Sequence, residues 1–216
     1  SRVRVVPGAR SSSYLYITDE RGDMQLAVND MAVCNEISPE YLESVLPGIQ
    51  AGALVLDTNL PVESLEFICR SSCIPLYADP VSSVKAMKLH GVMKHLRAIK
   101  PNALEAAALT GQTDPELAAR ALIDEGVQRV FISLGTNGMI AAEGSRILRM
   151  PSPEANVVNA TGAGDAAMSA IVWADLHGLS LEDSARAAQL AGAITCASEE
   201  SNAPELSRLP GLLAAE

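Results

Sequence analysis

From residue 38 onward, short apolar runs alternate with segments that have helical periodicity and helix caps. Four of these runs have the length and the bounding residues of buried strands. Apolar strands that alternate with helices are typical of a parallel sheet covered by helices on both faces. The sequence therefore predicts an α/β fold. The predicted strands lie near 53–56, 74–78, 96–99 and 129–134, and strand-like residues extend over 139–158. The predicted helices lie over 38–45, 62–71, 82–90, 114–125, 163–176 and 180–197, and another helix opens at Asn102.

The amino-terminal part of the chain has a different pattern, which predicts a β-hairpin. Residues 13–17 and 24–28 are extended, half-alternating runs, and residues 20–23 between them are typical of a turn. Because an isolated two-stranded hairpin is only marginally stable in water, we expect it to lie against another part of the molecule. Residues 1–10 show neither a helix cap nor a strand alternation, so we expect the chain to begin inside a larger unit.

Polar residues and glycine follow the predicted strands at the points where the strands end. The carboxyl ends of parallel strands meet at one edge of a sheet, and ligands bind in the crevice beyond that edge. Any one of these residues alone is explained better as a turn former or a helix cap. Their succession along one edge predicts a site there, formed from Asp57, Asn59, Asp79, Lys100, Asn102, Ser133 and Gly135.

Composition and charge narrow the range of functions. The 216 residues include 16 Lys and Arg against 26 Asp and Glu, which gives a formal net charge of −10. This balance argues against non-specific nucleic-acid binding, which needs a basic surface. No apolar run is long enough to span a bilayer. The 4 cysteines form neither a CxxC pair nor a zinc ligand set, so we expect a cytoplasmic protein with reduced cysteines packed in its core.

The segment 159–165 (NATGAGD) is the most informative stretch for chemistry. Gly162, Ala163 and Gly164 allow the backbone to approach a ligand closely and to direct successive N–H groups at one point. These groups open an apolar helix, and a helix N-terminus favours negative charge. Asp165 stands beside this candidate phosphate cradle, where a carboxylate could take a proton from an attacking hydroxyl. The alternative interpretation is a glycine-rich turn capped by an aspartate.

The end of this segment, TGAGD, resembles the signature of the ribokinase/PfkB family of sugar and nucleoside kinases. The resemblance covers nearly the whole chain. Residues 100–105 (KPNALE) resemble the N-x-x-E element of the family, and residues 132–138 (ISLGTNG) resemble its nucleotide-binding strand and turn. The resemblance implies a ribokinase-like three-layer α/β/α sandwich with a mostly parallel central sheet and part of a small β lid. It also implies that residues 1–216 form one N-terminally incomplete kinase domain, with 11–31 as remnant lid strands.

The same resemblance assigns roles to individual positions. It implies Asp165 as the general base, with Gly162, Ala163 and Gly164 around the transferred phosphate. ATP and Mg²⁺ are the implied cofactors, with K⁺ as a further candidate. Asn159 stands where family members commonly have Asp, which weakens a potassium site. The remaining implied positions are Asn102, Ser133, Gly135, Gly138 and Asn202 for the nucleotide, Glu105 and Asn102 for Mg²⁺ through water, and Asn159 and Thr161 for K⁺.

Within the family, several stretches are similar to the pseudouridine-kinase branch, among them residues 11–15, 27–31, 78–82 and 201–207. This similarity implies phosphoryl transfer from ATP to the 5′-hydroxyl of pseudouridine, with Ser13 and Lys85 as candidate substrate contacts. Two alternatives stay open: a kinase of another sugar or nucleoside, and a catalytically inactive truncated protein that binds nucleotide or a partner chain. The resemblance also leaves open a homodimer, a fusion to a pseudouridine glycosidase domain, and a mitochondrial location if a further segment carries a targeting signal.

Overall fold

The computed structural model describes residues 3–18 and 24–214 of the chain. A two-stranded antiparallel sheet precedes a six-stranded sheet whose spatial order follows the order of the sequence. In the larger sheet the first four strands are parallel to one another, and the last two are antiparallel to their neighbours. The strands are β1 (Ser13–Thr18), β2 (Met24–Asp30), β3 (Leu54–Asp57), β4 (Leu76–Asp79), β5 (Leu96–Ile99), β6 (Arg129–Ser133), β7 (Met139–Glu143) and β8 (Arg146–Met150).

The helices begin where the sequence supplies caps. The side chains of Ser38, Asn102, Asp114 and Ser180 each accept a hydrogen bond from a backbone N–H group of the helix that follows, which satisfies a donor that has no partner inside the helix. The helices are α1 (Pro39–Val45), α2 (Val62–Ser71), α3 (Ser83–Ala86), α4 (Ala103–Thr110), α5 (Pro115–Asp124), α6 (Ala163–Leu176), α7 (Leu181–Cys196) and α8 (Leu209–Ala214).

The larger sheet lies between two layers of helices, which confirms the predicted three-layer α/β/α sandwich. Alternation along β6 shows how the layers form, because Val130 and Ile132 pack with α1 to α5 while Phe131 packs with α6 and α7. The strands that are buried on both faces are nearly continuous apolar runs, as expected for a covered sheet. Helix α8 packs outside this sandwich, against α6 and α7.

Two predicted elements differ from the observed ones. The strand-like pattern predicted over 139–158 ends at Met150, and residues 151–157 are irregular. Pro151 and Pro153 have no backbone N–H group to continue a ladder, so this segment leaves the sheet. The helix predicted over 82–90 is also wrong in length, because α3 is followed by the 3-10 turn Met87–Leu89. The turn predicted at 20–23 lies outside the described residues.

A buried polar network holds the carboxyl end of α6 against the sheet. Asp175 accepts hydrogen bonds from the Tyr77 hydroxyl at 2.5 Å and from Arg97 Nε at 2.8 Å, and its Oδ1 lies 3.1 Å from Arg129 Nη1. Burial alone would raise the pKa of Asp175, but the hydrogen bonds from Arg97 and Tyr77 outweigh it and lower the pKa below its ordinary value. The carboxylate is therefore ionised at neutral pH and fixes the position of α6 along its axis.

The hairpin of β1 and β2 presents an apolar face to solvent. Leu15 pairs with Val28 and Ile17 with Leu26 across the two strands, and these four side chains point to the same face. Their exposed fractions are 71%, 61%, 61% and 57% in that order. A contiguous exposed apolar patch of this kind is typical of a surface that contacts another chain or segment.

The cysteines only partly follow the prediction that they pack in the core. Cys69 is buried, and burial raises the pKa of its thiol to about 11. Cys73 is exposed, because α2 ends at Ser71 and the chain has left the helix before it reaches this residue. Cys34 and Cys196 are half-buried. Among the described residues, no helix combines the length and the apolar character that a bilayer crossing requires.

Candidate active site

The carboxyl ends of β4 and β5 bring two opposite charges together in the interior. Lys100, which directly follows β5, is only 5% exposed. Its Nζ lies 3.0 Å from Oδ2 of Asp79, the last residue of β4. A buried ammonium is costly unless it is paired, so the position of Lys100 depends on this carboxylate. The parallel strands thus place a fixed positive charge at the edge where the sequence predicted a site.

Asn102 and Glu105 form a capping box at the start of α4. Asn102 Oδ1 accepts from the backbone N–H of Glu105, and Glu105 Oε2 accepts from the backbone N–H of Asn102, both at 2.9 Å. Burial raises the pKa of Glu105 above its ordinary value, and the charge of Asp79 adds to this effect. Glu105 Oε1 stays outside this pair of bonds. A carboxylate oxygen left over from the capping box suits a hard divalent cation that keeps its waters, so the residues present fit Mg²⁺.

Two glycines shape the start of α6, where the sequence predicted a phosphate cradle. Gly162, the N-cap of α6, has a φ of +87°, and a Cβ there would lie 2.1 Å from the carbonyl oxygen of Ser201. Glycine is therefore required at this position both by its backbone conformation and by its packing. A Cβ on Gly164 would lie 3.4 Å from Lys100 Nζ. The buried ammonium and the amino end of α6 thus meet at the same point.

Asp165 lies in the first turn of α6, two residues beyond the start of the helix. Its side chain is exposed, and within the described part of the chain its carboxylate has no hydrogen-bond or ion-pair partner. A first-turn aspartate that neither caps its helix nor pairs with a base retains its lone pairs for a ligand. The structure therefore places beside Gly164 a carboxylate without a partner among the described residues, and its role as a general base stays a prediction.

A cavity of about 1120 Å³ extends from Lys100 between β6, β7, α6 and α7. Small side chains on the two helices make room for it, and residues 152–157 close one side. Ser133, Gly135, Gly138, Ala163 and Gly164, which were predicted to contact the nucleotide or the transferred phosphate, all line it. The walls away from Lys100 are largely apolar and include Met139, Val157, Ala167, Ala188, Ala193 and Cys196.

The turn after β6 is shaped by a second glycine that tolerates no side chain. Gly138 has a φ of +95°, and a Cβ there would lie 1.9 Å from the carbonyl oxygen of Met150. Ser133 and Asn102 form an isolated parallel bridge between the ends of β6 and β5. Asn102 therefore adjoins the cavity without lining it. Asn202 is exposed and also lies outside the lining, next to the Ser201 carbonyl that covers Gly162.

The two candidate substrate contacts lie in different places. Lys85 Nζ donates to Asn59 Oδ1 at 2.6 Å, and Asn59 Nδ2 donates to Asp57 Oδ2 at 2.9 Å. These residues form a polar cluster beyond the carboxyl end of β3, on the side of Asp79 away from the cavity lining. Ser13 is exposed at the start of β1, opposite Asp30. Neither Lys85 nor Ser13 lines the cavity.

The positions implied for K⁺ have a geometry that does not suit a cation. Asn159 Oδ1 accepts from the backbone N–H of Thr161 at 2.9 Å, and Asn159 Nδ2 donates to the Glu199 carbonyl oxygen at 3.1 Å. A monovalent cation requires several oxygen atoms that converge on it. Here the atom that faces the Glu199 carbonyl is an N–H donor. The residues present therefore do not fit potassium.

Several residues have roles that the sequence did not assign. Lys100 and Asp79 were predicted to lie at the edge of the site, but without individual roles and without the ion pair that joins them. Gln189 Nε2 donates to the Pro151 carbonyl oxygen at 2.8 Å and so fixes the segment that closes the cavity. Gly192 is small and follows Ala188 by four residues on the same face of α7, a pattern that could have indicated a wall of this cavity.

The fold is that of a known class of proteins. The model of the pfkB family of carbohydrate kinases matches residues 1–208. The chain therefore belongs to the pfkB family of carbohydrate kinases. Pseudouridine kinase of Escherichia coli (strain K12) is 35% identical over 211 residues, which are 94% of this chain and 67% of that protein.

Solved structures show the same fold. Ribokinase from Thermotoga maritima superposes with a TM-score of 0.82 at 20% identity, over 94% of this chain and 70% of that one. Phosphofructokinase-2 from Escherichia coli in complex with potassium superposes with a TM-score of 0.71 at 24% identity, over 84% of this chain and 62% of that one. The described chain thus has a ribokinase-like fold and spans about two thirds of the length of these relatives.

Proposed function

We propose that this chain carries the nucleotide-binding and catalytic residues of a kinase that transfers a phosphoryl group from ATP to a hydroxyl of a sugar or nucleoside. The observation that supports it most strongly is the position of Lys100. A buried ammonium lies at the amino end of α6, where the helix dipole is also positive. Asp79 already pairs with this ammonium, and a phosphate at the helix end would be attracted by the ammonium and by the helix dipole together.

The cavity accounts for the rest of the nucleotide. Its apolar walls on α6 and α7 offer room for a base and a ribose, while the polar end near Lys100 and Gly164 accepts the phosphates. Ser133, Gly135 and Gly138 line it beside this polar end. Asn102 and Asn202 lie next to the lining, within reach of the phosphates once they bind. ATP is therefore the proposed donor.

Glu105 and Asn102 would hold Mg²⁺ through water, and the ion would neutralise charge on the phosphate oxygens. The chain itself supplies the remaining chemistry. Lys100 and the N–H groups at the start of α6 stabilise the transferred group, and Gly162, Ala163 and Gly164 allow it to approach the backbone. Asp165 accepts the proton of the attacking hydroxyl, because its carboxylate is exposed beside the cradle and has no other partner in the described residues.

The proposed acceptor is the 5′-hydroxyl of pseudouridine. The 35% identity to a pseudouridine kinase supports this choice, and the cluster around Lys85 offers donors and acceptors to a polar nucleoside. Ser13 would contact the substrate only if the hairpin closes over the sheet edge, and we therefore propose residues 11–31 as part of a lid on a single domain. Another sugar or nucleoside is the alternative acceptor within the same family.

The test measures ADP release by the full-length protein with pseudouridine, uridine, ribose and adenosine as acceptors. The D165N variant should retain ATP binding and lose roughly 10²–10⁴-fold in turnover, as expected for the loss of a general base. The matched control is E182Q, because Glu182 is also an exposed carboxylate in the first turn of a helix. It should leave turnover unchanged.

Three results would contradict parts of the proposal. Normal turnover by D165N would remove Asp165 from its role. A preference for another acceptor would reassign the substrate within the family. ATP binding by the wild-type protein without ADP release for any acceptor would favour an inactive nucleotide-binding protein, which is the second candidate for a chain that spans about two thirds of its relatives.

A further inference from the structure

The loop that carries the phosphate cradle is tied to the end of α7 by a compact set of hydrogen bonds. The backbone N–H groups of Val158 and Asn159 both donate to the carbonyl oxygen of Cys196, at 2.7 and 3.1 Å. The side chain of Asn159 extends this connection, because its Nδ2 donates to the Glu199 carbonyl oxygen at 3.1 Å. The loop is therefore held both by the last residue of α7 and by the turn that follows it.

The orientation of the Asn159 amide follows from its neighbours. The group on one side is the backbone N–H of Thr161, a donor, so the oxygen atom Oδ1 must face it. The nitrogen Nδ2 must then face the Glu199 carbonyl oxygen, which is an acceptor. Both ends of the amide are satisfied. An aspartate in the same place would satisfy Thr161 but would direct its second oxygen at the carbonyl oxygen, and the two would repel each other unless a cation lay between them.

We propose that the Asn159 amide replaces a monovalent cation in this chain. Where the family resemblance implies potassium, the N–H group of Nδ2 joins the two loops directly. The connection positions Gly162, which lies three residues further along under the Ser201 carbonyl. Asn159 is thus a positioning residue for the cradle, and the fold of this loop is independent of potassium. Its link to phosphoryl transfer rests on the proposed function, whereas the structural part does not.

The experiment follows thermal unfolding of the protein in potassium chloride and in tetramethylammonium chloride at equal ionic strength. The wild-type midpoint should be the same in both salts. N159D should unfold at a lower temperature in the tetramethylammonium salt and recover selectively in potassium chloride. N159A, which loses the connection without gaining a charge, should unfold roughly 2–4 °C lower in both salts, as expected when one hydrogen bond is lost from a chain of this size.

The matched control is N137D, which adds the same charge at an exposed asparagine in the turn after β6. It should show no difference between the two salts. A wild-type midpoint that rises selectively with potassium would overturn the proposal, as would an N159D midpoint equal in the two salts. If N159D folds in neither salt, an unchanged N159A midpoint would overturn it. Because these unfolding midpoints are measured without substrate, they test the role of Asn159 independently of the outcome of the ADP-release assay.

Discussion

Lys100 and Glu105 show at the scale of single residues how stability and function oppose each other. Each is charged or partly charged in a place where water is largely excluded, since both are no more than 6% exposed. The Asp79 carboxylate stabilises Lys100 but raises the pKa of Glu105 further, after burial has already raised it. A pair of carboxylates around one ammonium is poorly balanced for folding alone. It is well suited to a site that later receives a cation and an anion together.

The first prediction concerns the charge of Glu105. Because its pKa is raised in the folded protein, its ionisation destabilises the fold, and this loss sets in as the pH rises from below 4.5, the ordinary value, through the raised value. E105Q keeps the acceptor for the Asn102 N–H group but has no such charge. At neutral pH the variant should therefore unfold at a higher temperature than the wild-type protein, and the difference should vanish on acidification below 4.5.

Thermal unfolding of both proteins across this pH range measures the difference directly, and other titrating groups cancel between them. The same variant should need more Mg²⁺ for ADP release, since a neutral amide holds a hydrated cation less well. A higher unfolding temperature of E105Q with an unchanged Mg²⁺ requirement would mean that Glu105 serves only as part of the capping box of α4. A midpoint difference that persists in acid would contradict the assigned pKa direction.

The residues of the cradle could be predicted from the sequence because they are contiguous. Gly162, Ala163, Gly164 and Asp165 form the N-cap and first turn of α6, a short segment that its composition identifies. Lys100 could not be assigned a role in the same way, because its meeting with Gly164 depends on how β5 and α6 are placed in three dimensions. The hydrogen bond between Asn159 and Glu199 could not be predicted either, because Glu199 is 40 residues further along the chain.

Helix α6 is the element on which the site depends, and both of its ends are fixed. The network around Asp175 holds its carboxyl end, and the packing of Gly162 beneath Ser201 holds its amino end. The periodicity of the sequence predicted α6 and α7 with nearly correct bounds, because long amphipathic or apolar helices have clear patterns. It failed over 151–157, where the apolar residues line the cavity and belong to no strand.

The prediction at this scale compares the glycines near the two ends of α6. Gly162 and Gly178 both have positive φ values, +87° and +70°, but a Cβ would meet the Ser201 carbonyl only at Gly162. G178A should cost about 1–2 kcal/mol, the backbone strain alone. G162A should be more destabilising, because it adds a steric clash with a backbone atom, and it should also weaken ATP binding by displacing the cradle.

Chemical denaturation of the two variants, with calorimetry of ATP binding, separates these effects. G178A serves as the control for strain, since nothing lies within 4 Å of its added Cβ. It should leave ATP affinity unchanged. Equal destabilisation by the two variants would mean that Ser201 yields easily, and the loop would then be held less tightly than its packing indicates.

At the scale of the whole molecule, one part of the chain encloses a cavity by itself, and another part exposes apolar side chains and a strand edge to solvent. The cavity lies entirely between elements of this chain, from β5 to α7. The hairpin instead presents Leu15, Ile17, Leu26 and Val28 to solvent, and β3 is the edge strand of the larger sheet. Exposed apolar faces and unpaired strand edges favour association with another chain. The two parts should therefore behave differently in a binding experiment on the 216-residue chain.

The last prediction concerns that chain tested alone. It should bind Mg-ATP measurably, because the lining of the cavity is its own. It should bind pseudouridine poorly, because Ser13 is exposed on the hairpin and Lys85 already donates to Asn59. It should also form dimers through the hairpin. Calorimetry with each ligand and light scattering measure these three properties. The variant with Leu15→Ser and Val28→Ser alters a directly paired exposed position, so it should shift the chain toward monomers and leave ATP affinity unchanged. Tight pseudouridine binding by a monomer would show that the substrate pocket is complete within these residues.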